Sequence, residues 1–135
     1  MADLLLDTNV LIRHLRQRAR SSGFLLQWGQ NDNLYISVIT RSEILAGMRP
    51  DENVITLELL NALDSLPVTE QIADRAGRII YQLARRGIQL SFPDALIAAT
   101  ALEHQLTVVT TNVAHFKPTG VLIEQVTAQV PGTCA

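Results

Sequence analysis

A chain of 135 residues with 47% hydrophobic and 18% charged content has enough apolar side chains for one domain with a real core. Its formal net charge of −2 excludes a protein that coats nucleic acid by bulk charge, and no apolar run approaches the roughly 20 residues that span a bilayer. The single cysteine, Cys134, has no internal disulfide partner and suits a reducing compartment, so a cytoplasmic protein with no membrane partner is expected.

Leu4-Leu5-Leu6 reads as a short buried strand, ending in Asp7-Thr8-Asn9, with Val10, Leu11, Ile12 and Leu15 following at helical spacing. Asp7 then falls at the carboxyl end of a strand, where open α/β sheets place their ligands, or it serves as the N-cap of the helix. Asn9 supplies an amide that could orient it. Arg13, Arg16, Arg18 and Arg20 cluster next; ten of the eleven basic residues are arginines, whose planar fork suits phosphate, though a basic run on a short helix is more often a solvated face.

A further helix is expected from Ser22 to about Gln30, with Phe24, Leu25 and Trp28 on one face, broken by Asn31-Asp32-Asn33. Leu34 to Ile39 has the β-branched and aromatic content of a strand, and Thr40 with Glu43 has the T-x-x-E spacing of a capping box that opens the next helix. That helix ends at Gly47 and Pro50. Asp51-Glu52 starts another, carrying Val54, Leu57, Leu60 and Leu63, and Leu66 to Thr69 forms a brief strand or connector. Glu70 to Arg86 predicts a long amphipathic helix, turned inward through Ile72, Ala76, Ile79, Ile80 and Leu83 and stopped by Gly87.

Ser91-Phe92-Pro93-Asp94 opens the next helix with a serine N-cap, a proline where its missing donor costs nothing, and an acid in the first turn. Ile97, Ala98 and Ala101 let that helix approach a sheet closely. Leu106 to Thr110 reads as a buried strand with Thr111-Asn112 at its carboxyl end, and Val121-Leu122-Ile123 as a last edge strand. The alternation predicts a three-layer α/β/α fold around four or five mainly parallel strands. No repeat or linker divides the chain, so residues 1–130 are expected to form one domain, with 131–135 as a tail.

This topology would bring Asp7, Glu43, Asp94 and Asn112 to one rim of the sheet. Capping explains each acid singly but not why they would share an edge. Three carboxylates about 4 Å apart would repel by several kcal/mol per pair at a protein-like dielectric, and a cation resolves this. Oxygen ligands without a cysteine favour magnesium or manganese, and a divalent ion among carboxylates suits phosphodiester hydrolysis by an activated water. Thr110 lies near the same rim, as a ligand-bonding hydroxyl or a plain strand residue. His14 and His104 read as helix-surface residues. Ile44, Leu45 and Met48 offer either a seat for a partner helix or core packing.

Four segments in this order resemble the PIN-domain ribonucleases, in particular the VapC-type toxins of toxin–antitoxin pairs. They are Leu5-Leu6-Asp7-Thr8-Asn9-Val10, Ser37 to Gly47 with Ser42-Glu43-Ile44, Pro93 to Ala101, and Val109 to Phe116. The resemblance covers nearly the whole chain. It implies a magnesium- or manganese-dependent endoribonuclease with Asp7, Glu43 and Asp94 as its acidic core and metal ligands. It also implies an RNA substrate, a homodimer, and an antitoxin protein that blocks the site. Such proteins often carry a further acid in the segment matching Thr110 to Phe116, where this chain has Asn112 and His115; the departure should weaken a second metal site. Two other readings are a non-catalytic RNA-binding module that uses the arginines and a receiver-like phosphoacceptor domain suggested by Asp7 and Lys117-Pro118.

Overall fold

The structure is a computed structural model and describes residues 3–16 and 33–126. Five strands, β1 (Asp3–Leu6), β2 (Asn33–Ser37), β3 (Asp64–Leu66), β4 (Thr107–Thr110) and β5 (Ile123–Gln125), form one sheet in the order β3-β2-β1-β4-β5. Every pairing is parallel, so the mainly parallel expectation is met in full. The described helices are α1 (Thr8–Arg16), α2 (Val38–Gly47), α3 (Asn53–Ala62), α4 (Glu70–Arg85), α5 (Phe92–His104) and α6 (Val113–Phe116). The helix expected over Ser22 to Gln30 and the tail 131–135 lie outside the described residues, as do Arg18 and Arg20. No described helix is long and apolar enough to cross a membrane.

β1 is the central strand, and its alternation divides the core. Leu4 and Leu6 pack on one face with Val10, Leu11, Leu15, Ile36, Ile44, Leu60 and Val109. Leu5 packs on the other with Ile97, Ala98, Ala101, Val108 and Phe116. Both faces are covered, which is why the strands read as continuous apolar runs rather than alternating ones. α4 packs on α5 through Ile72 and Ala76 against Ala95 and Ala99, where small side chains allow close approach.

Gly87 ends α4 as expected. Its φ is +76°, its N–H donates to Ala84 O at 3.0 Å, and Ile88 N–H donates to Leu83 O at 2.9 Å, the paired bonds of a Schellman motif. The start of α2 differs from the sequence reading. Ser37, not Thr40, is the N-cap, accepting from Ile39 N–H at 3.0 Å, so Val38 and Ile39 belong to the helix rather than the strand. Thr40 is a buried helix residue and Glu43 stands in the second turn, so the T-x-x-E box does not form. Pro50–Glu52 is a separate 3-10 turn before α3. Ile44 is core, 2% exposed, which removes it from the suggested partner seat; Leu45 beside it is exposed.

Candidate active site

From β1 the chain builds outward to β2 and β3 on one side, and places β4 and β5 on the other. The crevice at the carboxyl ends of β1 and β4 is therefore the topological switch point, where open α/β sheets bind ligands. Asp7 occupies it. Its N–H extends the ladder to Val109 O at 2.9 Å, and the residue is 4% exposed. Oδ1 accepts from Thr8 N–H at 2.8 Å and Oδ2 from the Thr110 hydroxyl at 2.8 Å. Asp7 thus bonds the first N–H of α1 and still faces the crevice. Asn9 is exposed, and the bonds that orient Asp7 come from the two threonines instead.

Burial is the largest influence on the Asp7 carboxyl and raises its pKa above the ordinary value. The Thr110 and Thr8 bonds oppose this, while the charges of Asp94 and Glu43 add to it. Both acids therefore lie near enough to Asp7 for their charge to act on its carboxyl.

Glu43 reaches the rim of the sheet from α2. Its Oε1 accepts from the Thr8 hydroxyl at 2.7 Å, and that hydroxyl also lies 3.1 Å from Thr40 Oγ1 on the same helix. Because Thr40 and Glu43 stand three positions apart, they present neighbouring groups to α1. Thr8 therefore touches two of the three acids, through its backbone to Asp7 and through its side chain to Glu43. Sequence reasoning gave it no role, since a threonine after a strand looks like any helix start.

Asp94 lies in the first turn of α5, whose N-cap Ser91 accepts from Asp94 N–H at 3.3 Å. The cap and Pro93 fix where the helix begins. The Asp94 side chain is 24% exposed, and its Oδ2 lies 3.3 Å from His115 Nδ1. Asn112 caps the short α6 from the end of β4. Its N–H donates to Thr110 Oγ1 at 2.9 Å, and its side-chain nitrogen lies 3.2 and 3.3 Å from the two ring nitrogens of His115. His115 is exposed yet stands at the site, beside the carboxylate that α5 presents.

The three acids, with Asn112, offer an all-oxygen donor set in which one member is buried and burdened by the negative charge of the other two. That is the chemistry a hard divalent cation offsets. Among the described residues no group of three His, Cys, Asp or Glu side chains forms a ready metal-binding cluster. Magnesium tolerates an incomplete protein shell, since it keeps several waters and takes phosphate oxygens from its substrate.

Arg16 and Arg85 make contacts within the protein. Arg16 pairs with Glu52, whose Oε1 also accepts from Arg49 N–H at 2.7 Å, so its guanidinium joins α1 to the 3-10 turn. Arg85 bonds Tyr81 within α4 at 3.2 Å. The receiver-like reading fails on geometry: Asp94 begins a helix, and Lys117 begins a 3-10 turn after α6. His14 is half-buried rather than a surface residue, whereas His104 is exposed at the end of α5.

Residues 4–120 match the family model described as PIN domain. Ribonuclease VapC10 of Mycobacterium tuberculosis is 37% identical over 113 residues, covering 84% of this chain and 85% of that protein. The tRNA(fMet)-specific endonuclease VapC of Shigella flexneri is 30% identical over 127 residues, covering 89% and 94%. Among solved structures, the DNA-bound VapBC from Salmonella typhimurium superposes with a TM-score of 0.80 at 29% identity, over 93% of this chain and 98% of that one.

Proposed function

The chain belongs to the PIN-domain family, and from that premise we propose that it is the endoribonuclease toxin of a toxin–antitoxin pair, cutting RNA at the Asp7, Glu43 and Asp94 rim with magnesium or manganese. The observation that carries the site assignment is Asp7: a carboxylate 4% exposed at the switch point and joined through Thr8 to Glu43. The proposed partners are RNA, a cognate antitoxin protein and a second copy of the chain.

Asp7 and Asp94 would hold the cation, with Glu43 completing the acidic set. When bound, the cation supplies charge to the scissile phosphodiester and acidity to the attacking water. The chain's residues do the rest. Thr8 N–H and the Thr110 hydroxyl fix the Asp7 oxygens, so the buried acid does not swing away from its neighbours. Thr8 also holds Glu43 Oε1, and the second carboxylate oxygen would accept a proton from water. Attack by water on phosphorus with cleavage of the P–O3′ bond, the 3′ oxygen leaving and taking up a proton, would give products with 5′-phosphate and 3′-hydroxyl ends.

The test is RNA cleavage by the purified chain with Mn2+ and with a chelator, alongside Asp7→Asn, Glu43→Gln and Asp94→Asn. Each variant should lose activity at least about 100-fold while keeping its fold. Three variants that all cut like the parent would sink the site assignment.

A further inference from the structure

The segment from Thr110 to His115 touches two of the acids at once. The Thr110 hydroxyl donates to Asp7 Oδ2 at 2.8 Å and accepts from Asn112 N–H at 2.9 Å. The Asn112 side chain lies on the His115 ring at 3.2 and 3.3 Å, and His115 Nδ1 lies 3.3 Å from Asp94 Oδ2. The contacts run in an unbroken path from the acid at the end of β1 to the acid at the start of α5. The Asn112 side-chain nitrogen, almost equally far from both ring nitrogens, rests against the imidazole, while Nδ1 is the ring atom turned to the Asp94 carboxylate.

We propose that His115, with Asn112 and Thr110, forms a brace that sets the separation of the Asp7 and Asp94 carboxylates, so that His115 is a positioning residue of the nuclease site. Two like charges on separate elements relax apart unless something opposes them. Asp7 is buried and held by two donors, so it has little freedom. Asp94 is a first-turn residue with a side chain 24% exposed, and its contact with His115 turns one carboxylate oxygen toward the end of β4. Because α6 begins directly at Asn112, the short helix fixes where the imidazole stands relative to Thr110. Groups behind the ligands of an ion commonly tune its affinity about 10–100-fold, and the brace has that relation to both acids.

The inference rests on the proposed metal-dependent reading, and the experiment separates the two. Mn2+ alone is titrated into the full chain and followed by electron paramagnetic resonance, with melting temperatures as a control for folding. Asp7→Asn should abolish carboxylate-dependent uptake. His115→Ala should weaken Mn2+ binding about 10-fold. His115→Asn, whose amide nitrogen stands close to the place of Nδ1, should stay within about 3-fold of the parent. Thr110→Val should weaken binding too, and the double variant with His115→Ala should cost less than the product of the two losses, because either change alone opens the path. Mn2+ binding by His115→Ala equal to the parent's, while Asp7→Asn abolishes it, overturns the brace and leaves the nuclease reading intact. A raised KM for RNA in His115→Ala with unchanged Mn2+ binding also overturns it, since His115 would then touch the substrate instead. If Asp7→Asn takes up Mn2+ like the parent, the metal-dependent reading falls and the brace falls with it.

Discussion

The hydroxyl of Thr8 donates a 2.7 Å hydrogen bond to Oε1 of Glu43, joining the first turn of α1 to the second turn of α2 across the rim of the sheet. Its own N–H serves Asp7 at 2.8 Å, so one residue orients two acids by two independent groups. Thr8→Val keeps the backbone bond and the volume but removes the hydroxyl. RNA cleavage should fall about 10–100-fold, as for other groups that orient a ligand from behind, with a loss of only about 1 kcal/mol of stability from the missing bond. Thr8→Ser restores the hydroxyl and should recover most of the rate. Single-turnover cleavage together with thermal melts separates the two effects; a Thr8→Val enzyme as fast as the parent means that Glu43 needs no such anchor.

Arg16 of α1 pairs with Glu52 of the 3-10 turn, a contact that should serve stability rather than RNA binding. The Arg16 guanidinium, chiefly, and then Arg49 N–H hold the Glu52 carboxyl below its ordinary pKa of 4.5, against the opposing effect of burial. A carboxyl lowered in the folded state stabilises the protein at pH values above the unfolded pKa, and that contribution disappears as pH falls through the folded value. Glu52→Gln should therefore melt below the parent at pH 7, and the gap should close in acid below the ordinary value of 4.5. Melting curves at both ends of that range decide it. RNA affinity should change little, in contrast to what a phosphate-binding role for Arg16 requires.

Much of this was legible in residue order. Leu4 to Leu6 announced a strand buried on both faces, and Ser91 with Pro93 located the start of α5 and hence Asp94. Gly87 announced its own left-handed turn. The start of α2 was not legible, because Val38 and Ile39 are β-branched and continue the pattern of β2 until the Ser37 hydroxyl turns the chain. Nor were the partners of Thr8, Thr110 and His115. A hydroxyl or an imidazole accepts many partners, and which one it meets depends on β1 lying beside β4 and α2 beside α1, relations that local sequence does not carry.

Gln105 offers a test of the backbone away from the chemistry. It ends α5 with φ 57° and ψ 45°, a left-handed conformation forced by the Leu106 N–H bond to Ala101 O at 2.8 Å. A side chain there costs about 1–2 kcal/mol, which glycine avoids, although glycine also loosens the unfolded chain by roughly 0.4–1 kcal/mol. Gln105→Gly should stabilise the protein by about 0.5–1 kcal/mol, raising the melting temperature by roughly 2–5 °C, with cleavage unchanged. Gln105→Val should go the other way, since a β-branched residue tolerates this region least. Equal melting of all three proteins would mean that the turn relaxes and carries no strain.

Asp7 ties stability, pH and cation binding together. Its pKa is raised in the folded protein above the ordinary 3.8, by burial first and then, against the Thr110 and Thr8 bonds, by Asp94 and Glu43. A carboxyl raised on folding favours the fold only while protonated: its penalty is absent below the unfolded pKa and complete once pH passes the folded value. Asp7→Asn should therefore melt above the parent at pH 7, lose that advantage in acid, and cut RNA at least about 100-fold more slowly. A cation at the rim reverses the ranking. Mn2+ at about 100 times its dissociation constant should stabilise the parent by about 2.7 kcal/mol and Asp7→Asn by almost nothing. Melting curves with and without Mn2+ at pH 7 give both quantities from one pair of proteins. If Mn2+ raises both melting temperatures equally, the ion binds elsewhere and Asp7 is buried for the fold alone.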